Sequence, residues 1–203
     1  MKAVPASRSL VFILIAGVGC AADLIAKKWV FGWLGMPGPN SRTHWFWTNV
    51  VGFQTSLNEG ALFGLGQGMV PIFAGLSVAA AVGILIWLFY GGAARDWLLT
   101  IALGCVTAGI FGNLHDRLGL MNLIWPLNDG VHFAGQSVHA VRDYVLVKIG
   151  SWSWPNFNIA DSLLVSGAIL LFWHAFRSQR ESGQKSVPAK NAADDSPRGE
   201  RIA

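Results

Sequence analysis

Four long apolar runs, separated by polar and glycine-rich segments, dominate the hydropathy pattern of the chain. Each run is close to the length of about 20 residues that an α-helix needs to cross the hydrocarbon core of a bilayer. An even number of crossings leaves both ends of the chain on one side of the membrane. The pattern predicts an integral membrane protein, mainly α, with four transmembrane helices at about residues 10–30, 70–90, 97–112 and 159–176.

The composition supports this prediction and limits the possible partners. Of the 203 residues, 53% are hydrophobic and 13% are charged, which is too apolar for an ordinary soluble domain. The net charge is +4, but many of the basic residues lie in the C-terminal tail without a basic and aromatic patch. We therefore expect anionic membrane lipids, and no nucleic acid, as partners. Cys20 and Cys105 lie inside apolar runs without metal-site spacing, so no metal is predicted.

Lysine and arginine residues near the helix ends set the expected orientation. Cytoplasmic segments of membrane proteins carry an excess of these residues. The opposite loops also hold several, so the bias is modest. It predicts that both termini are cytoplasmic, on the side that carries Lys2, Arg8, Arg95, Arg177 and Arg180.

The two ends of the chain differ in character. Residues 1–20 resemble a secretory signal, but the apolar run continues past Cys20, which favours an uncleaved first helix. Residues 178–203 are rich in Ser, Arg, Lys, Asp and Pro and have too little apolar content to fold alone. We therefore predict one membrane domain at 1–177 and a disordered cytoplasmic tail at 178–203.

The two loops on the opposite side, residues 31–69 and 113–158, are rich in tryptophan. Tryptophan settles at the headgroup level of a bilayer, so both loops are expected to lie on the outer membrane surface. Residues 46–57 hold several aromatic and β-branched residues and could form short strands. We predict a small extracytoplasmic β-cradle and an interfacial amphipathic segment in these loops.

Two acidic residues, Asp116 and Asp161, lie at the ends of the third and fourth runs. If the helices alternate in direction, both carboxylates reach the same membrane face. The first run brings Asp23 and Lys27 to that face, where the i, i+4 spacing lets them pair. Ionisable groups at membrane depth are costly and usually functional, so a shared site near the outer face is predicted.

Two carboxylates around one water suit amide hydrolysis, because one can take a proton from the water while the other protonates the carbonyl oxygen. Close carboxyl groups tend to share a proton, so the base cannot be assigned to either residue. Asn113 and Asn158 each precede an aspartate by three residues, which on a helix puts the amide about one turn away.

Other interpretations of the same residues stay open. Asp116 could pair with Arg117 or Lys27 as a membrane-edge anchor, and Asp161 could merely cap the fourth helix. The acids could also serve as a relay in a small ion or proton transporter. A third possibility is a non-enzymatic subunit of a membrane assembly.

Several short motifs match, in order, those of a known family. Asp23 with Lys27 is followed by residues 58–64 (NEGALFG), 112–117 (GNLHDR) and 155–162 (PNFNIADS). They resemble the motifs of the bacterial lipoprotein signal peptidases (signal peptidase II), which are intramembrane aspartic peptidases of the inner membrane. The last two motifs are highly specific.

This resemblance implies an aspartic endopeptidase that cleaves diacylglyceryl-modified prolipoproteins just before the lipidated cysteine, without metal or organic cofactor. A multi-pass monomer in the inner membrane is expected. The implied catalytic dyad is Asp116 and Asp161. The implied supporting or substrate-binding residues are Asp23, Lys27, Asn58, Gly60, Asn113, Arg117, Asp143, Asn158 and Ala160.

The chain departs from the family pattern between two motifs. Arg142, Asp143 and Tyr144 resemble a family segment that usually follows the GNLHDR-type motif after only a few residues. Here about twenty residues, 121–140, intervene. This insertion is interpreted as an interfacial lid, a docking surface or a tolerated surface loop.

Overall fold

The computed structural model describes residues 4–38, 41–60, 65–128 and 131–185. Four of its helices are long and apolar enough to cross a membrane, which confirms the predicted multi-pass architecture. A π-helical turn, Ile86–Tyr90, continues the second helix. The helices are α1 (Ala6–Leu34), α2 (Val70–Leu85), α3 (Trp97–Arg117) and α4 (Ile159–Lys185).

The third helix is longer than the hydropathy pattern predicts. We expected it to end near Gly112, but α3 continues to Arg117. The polar side chains of this last turn have hydrogen-bond partners inside the protein. Lys27 donates to Asn113, and Arg142 donates to Asp116. Partners inside the protein therefore let the helix carry polar residues that hydropathy alone would exclude.

The fourth helix corrects the prediction for the tail. Residues 178–185 were expected to be disordered, but they continue α4. Five of these eight residues are glutamine, arginine, glutamate or lysine, which are good helix formers. The rest of the predicted tail, residues 186–203, lies outside the described residues.

A four-stranded antiparallel sheet forms one end of the molecule. Its strands follow chain order, β1 (His44–Trp47), β2 (Val51–Asn58), β3 (Val141–Ile149) and β4 (Trp152–Phe157). The first two strands confirm the β element predicted in the first loop. The second pair lies in the other loop, where no strands were assigned from the sequence.

The expected interfacial amphipathic segment has no counterpart in the described part of the loops. Outside the four strands and the helix ends, that part forms turns, bends and one isolated β-bridge between Ile124 and Ser137. Residues 61–64, in the NEGALFG motif, and residues 129–130, in the insertion, lie outside the described residues.

Helix α3 lies at the centre of the bundle. In its apolar stretch of 18 residues, 67% of the residues are buried. The corresponding share is 17% for α1 and 11% each for α2 and α4. The other helices expose large apolar side chains such as Leu14 and Phe172, as expected for surfaces that face lipid. A β-carbon at Gly109 would overlap the carbonyl oxygen of Ala160, so glycine lets α3 and α4 approach closely.

The sheet is anchored to the bundle through the end of α1. Val30, Phe31 and Leu34 pack against Tyr144 of β3 in one buried cluster. This contact fixes β3 beside the ends of the helices that carry the predicted site residues.

Candidate active site

A cavity of about 680 Å³ lies between the sheet and helices α2, α3 and α4. Both polar and apolar side chains line it. The polar lining includes Asn58, Asn113, Arg117, Asp143 and Asp161, and the apolar lining includes Ile110, Val141, Trp154, Phe157, Leu164 and Val165.

Asp161 is held by a capping box at the start of α4. The side-chain oxygen of Asn158 accepts a hydrogen bond from the backbone N–H of Asp161 at 2.9 Å. In return, the backbone N–H of Asn158 donates to Asp161 Oδ2 at 3.1 Å. This reciprocal pair satisfies two free N–H groups of the helix end and leaves Asp161 Oδ1 available to the cavity side.

Asn113 of α3 binds that second oxygen. Its side-chain amide donates to Asp161 Oδ1 at 2.8 Å. Its own oxygen accepts from Lys27 Nζ at 3.0 Å and from Asn158 Nδ2 at 3.1 Å. Because the oxygen end faces two donors, the amide of Asn113 is fixed with its N–H groups toward Asp161.

Asp143 lies on β3 and is 2% exposed. Asn158 Nδ2 donates to its Oδ1 at 2.7 Å, and Asn58 Nδ2 lies 3.4 Å from its Oδ2. Burial, followed by the negative charge of Asp161, raises the pKa of Asp143 to about 8. The raised pKa favours the protonated form of Asp143 beside a second carboxyl group, the arrangement typical of acid and base pairs.

Asp116 has a different environment. Arg142 donates to its Oδ1 from Nη2 at 2.7 Å and to its Oδ2 from the backbone N–H at 3.0 Å, and Lys27 Nζ lies 3.2 Å from Oδ2. Its side chain is fully buried and is not part of the cavity lining. The sequence predicts a dyad of Asp116 and Asp161, whereas the carboxylates that line the cavity together are those of Asp143 and Asp161. The contacts of Asp116 match the other interpretation, an acid paired with Lys27.

Lys27 links α1 to the other helices below the site. Its ammonium group lies 2.7 Å from Asp23 Oδ2, in the i, i+4 pair expected from the sequence. Asp23 in turn accepts from the backbone N–H of Ala160 at 2.9 Å, at the start of α4. The side chains of Asp23, Lys27 and Asp116 are fully buried, and the Lys27 ammonium lies between the two carboxylates.

Arg117, which lines the cavity, contacts Gly60. Arg117 Nη2 donates to the Gly60 carbonyl at 3.2 Å, and the Gly60 N–H donates to Asn58 Oδ1 at 3.0 Å. The Nε of Arg117 is buried without a hydrogen-bond partner among the described residues. A cavity-lining guanidinium with a free donor is well suited to bind a carbonyl oxygen.

Every predicted site residue thus belongs to one connected region, but one participant was missed. Arg142 was not assigned a role, although it holds Asp116 with three donor atoms. The available signal was its position next to Asp143. Because neighbouring residues on a strand point to opposite faces, a strand that turns Asp143 toward the cavity turns Arg142 toward Asp116. Among the described residues, no three His, Cys, Asp or Glu side chains converge in an arrangement suited to a metal ion.

Solved structures share this architecture. One bacterial membrane enzyme aligns with a TM-score of 0.66 over 83% of this chain and 88% of its own, at 21% sequence identity. A second bacterial membrane enzyme structure aligns with a TM-score of 0.63, over 81% of this chain and 91% of its own, also at 21% identity. At this identity the likeness establishes the fold.

Sequence relatives are more informative. A lipoprotein signal peptidase of Rhodopirellula baltica is 43% identical over 99% of this chain and 89% of its own length. One of Rhodococcus jostii is 32% identical over 81% of this chain and 71% of its own. The model of the family described as Signal peptidase (SPase) II matches residues 15–177. Because that match runs from α1 to α4 and includes every residue of the network around the cavity, the chain belongs to the signal peptidase II family.

Proposed function

We propose that this protein removes signal peptides from prolipoproteins as an aspartic endopeptidase, with Asp143 and Asp161 as the catalytic dyad. One observation carries the assignment. Among the described residues, these are the two acidic side chains that line the cavity, and Asn158 binds both of them.

In the proposed reaction, Asp161 accepts a proton from a water molecule that attacks the scissile carbonyl carbon. Asp143, protonated at neutral pH, donates its proton to the carbonyl oxygen. The resulting tetrahedral intermediate collapses by breaking the C–N bond. A proton passes from the dyad to the leaving amine, and the second proton of the intermediate returns to the dyad.

The environment of Asp116 supports a positioning role instead. An acid bound by both Arg142 and Lys27 has its oxygens occupied by charged donors, so little capacity remains to take a proton from water. By holding Arg142 on one face of β3, Asp116 also holds the next residue, Asp143, on the opposite face.

The cavity supports a substrate with an extended apolar part. Its lining continues from the carboxylates at the sheet to Ser77 of α2 and Ser166 of α4, among apolar side chains. We propose that a diacylglyceryl-modified prolipoprotein enters laterally from the bilayer, and that cleavage occurs just before its lipidated cysteine. Arg117 Nε would bind a backbone carbonyl of this substrate.

The placement in the cell follows from the same proposal. The enzyme would be a monomer in the bacterial inner membrane, with both termini in the cytoplasm and the sheet on the outer face. The transporter and assembly-subunit alternatives receive no support from the comparisons, in which two relatives that cover most of the chain are named as peptidases.

A gel-shift cleavage assay with a diacylglyceryl-modified prolipoprotein in detergent tests the proposal. We expect cleavage by the wild type and by Asp96→Asn, a control at the other end of α3. Asp143→Asn and Asp161→Asn should remain folded and lose activity by about 100-fold or more. Wild-type protein that is folded but inactive on several lipidated substrates would refute the peptidase. Asp143→Asn that cleaves, beside folded Asp116→Asn that does not, would restore Asp116 to the dyad.

A further inference from the structure

The insertion at 121–140 makes a close contact with the loop that follows β2. His132 Nε2 lies 2.6 Å from Glu59 Oε1, and both side chains are mostly buried, at 18% and 20% exposure. Glu59 sits between Asn58 and Gly60, the two residues of this turn that reach the site. The insertion therefore packs against the turn that reaches the site and is more than a solvent-exposed surface loop.

The insertion also orients the histidine ring. The imidazole of His132 stacks on Trp125, with ring centroids 3.9 Å apart and planes within 13°. Trp125 is itself fixed, because its backbone N–H donates to Gln136 O and its carbonyl accepts from Gly135 N, both at 2.9 Å. His132 is therefore presented to Glu59 by a hydrogen-bonded frame, which lowers the entropy cost of their contact.

On its other side, the same turn holds Asn58 toward the dyad. The Gly60 N–H donates to Asn58 Oδ1 at 3.0 Å, which leaves the amide of Asn58 facing Asp143 Oδ2 at 3.4 Å. A hydrogen bond of this length is near its geometric limit, so a small displacement of the turn breaks it.

A second histidine of the insertion contacts the neighbouring element. His139 Nδ1 lies 3.1 Å from the backbone oxygen of Arg117, the residue whose Nη2 donates to Gly60 O. The insertion thus contacts Arg117 directly and also contacts Glu59, the residue before Gly60.

We propose that the insertion is a brace for the active site, in which His132 and Glu59 are positioning residues that hold Asn58 against Asp143. This inference rests on the proposed dyad of Asp143 and Asp161. It assigns a function to a segment that the family motifs do not include, and it predicts an effect on turnover without a direct contact with substrate.

Kinetics of alanine variants test the brace. Glu59→Ala and His132→Ala should each lower kcat about fivefold with KM nearly unchanged, equivalent to about 1 kcal/mol in the barrier. The double variant should be no worse than either single variant. His132→Gln, which keeps a donor at similar reach, should recover most of kcat. Leu127→Ala, an exposed apolar control in the same insertion, should match the wild type.

The path through Asn58 is tested by a second cycle. Glu59→Ala should have almost no further effect on kcat in an Asn58→Ala background. Additive losses, unchanged kcat in both single variants, or a change confined to KM would each overturn the inference.

An activity-independent measurement separates this inference from the proposed function. Hydrogen exchange at the amides of residues 58–60 should be faster in Glu59→Ala and His132→Ala than in wild type and Leu127→Ala. Equal exchange in all four proteins would overturn the brace even if wild-type cleavage were established. Faster exchange in Glu59→Ala and His132→Ala, together with a folded wild type that does not cleave, would refute only the peptidase.

Discussion

The side-chain amide of Asn158 donates a 2.7 Å hydrogen bond to Asp143. The same residue caps α4 and so orients Asp161. One asparagine therefore ties two acidic groups, from a strand and from a helix, into a single site.

Two substitutions separate these roles of Asn158. Serine is as good an N-cap as asparagine, but it is too short to reach Asp143. Asn158→Ser should keep the cap but lose the buried hydrogen bonds of Asn158 Nδ2, and cleavage should fall by about 100-fold because the dyad loses its alignment. Asn158→Ala loses the cap as well, so its free energy of unfolding should be about 1 kcal/mol lower than that of Asn158→Ser. Equal melting temperatures for both variants would contradict the capping role.

The raised pKa of Asp143 predicts a pH-dependent stability. An aspartate in the unfolded chain has a pKa of about 3.9, whereas burial and the charge of Asp161 raise the pKa of Asp143 in the folded protein to about 8. Between these values the folded state binds a proton that the unfolded state does not, so this contribution to the free energy of unfolding falls as pH rises through the window. It is fully present below the window and lost above it.

Asp143→Asn tests this directly, since the variant cannot lose a proton there. Its stability relative to the wild type should increase with pH across the window and level off above about pH 8. Melting temperatures in detergent at a series of pH values would show the trend. A constant difference would mean that Asp143 titrates alike in both states. Wild-type cleavage should decline above about pH 8, when the proposed acid has lost its proton.

Lys27→Met should be severely destabilising. It removes the cation that lies between Asp23 and Asp116, both fully buried. Breaking a buried ion pair from one side costs about 3–5 kcal/mol. Lys28→Met is the matched control, because Lys28 is the next residue in the chain and its side chain is exposed. Adding Asp23→Asn to Lys27→Met should recover part of the loss, and a failure to recover any of it would argue against the charge explanation.

Gly112→Ala should disturb the same region by a steric route. A β-carbon there would lie 2.5 Å from Asp23 Oδ2 and 3.1 Å from the β-carbon of Ala160. We expect a loss of about 1–3 kcal/mol in the free energy of unfolding, accompanied by weaker cleavage. Gly17→Ala is the control, because its added β-carbon meets nothing within 4 Å and alanine favours the helix. A stable and fully active Gly112→Ala would show that this packing is looser than the structure indicates.

The spans could be predicted because a bilayer imposes both length and hydropathy on each helix. Strands β3 and β4 were harder, although β3 is rich in valine and isoleucine. The pairing of β3 with β2 joins residues far apart in the chain, such as Gly52 with Leu146, and no local pattern specifies such a partner. Strand β4 then pairs with β3 as a hairpin across a short turn.

The site illustrates a different limit. Asn113 and Asn158 each precede an aspartate by three residues, a spacing that on a helix puts each amide about one turn from its own aspartate. Asn158 begins a helix and forms a capping box, whereas Asn113 lies near the end of α3 and its amide reaches across to Asp161. The spacing does not reveal that the amide of Asn113 binds the aspartate of the other helix.

The ion pair between Lys27 and Asp116 has a consequence for biogenesis. A lone buried carboxylate would oppose the partition of α3 into the bilayer. Lys27 belongs to the first helix and is synthesised long before Asp116, so the countercharge is already at hand when the third helix leaves the ribosome. The order of residues along the chain thereby spares the nascent protein an uncompensated charge in lipid.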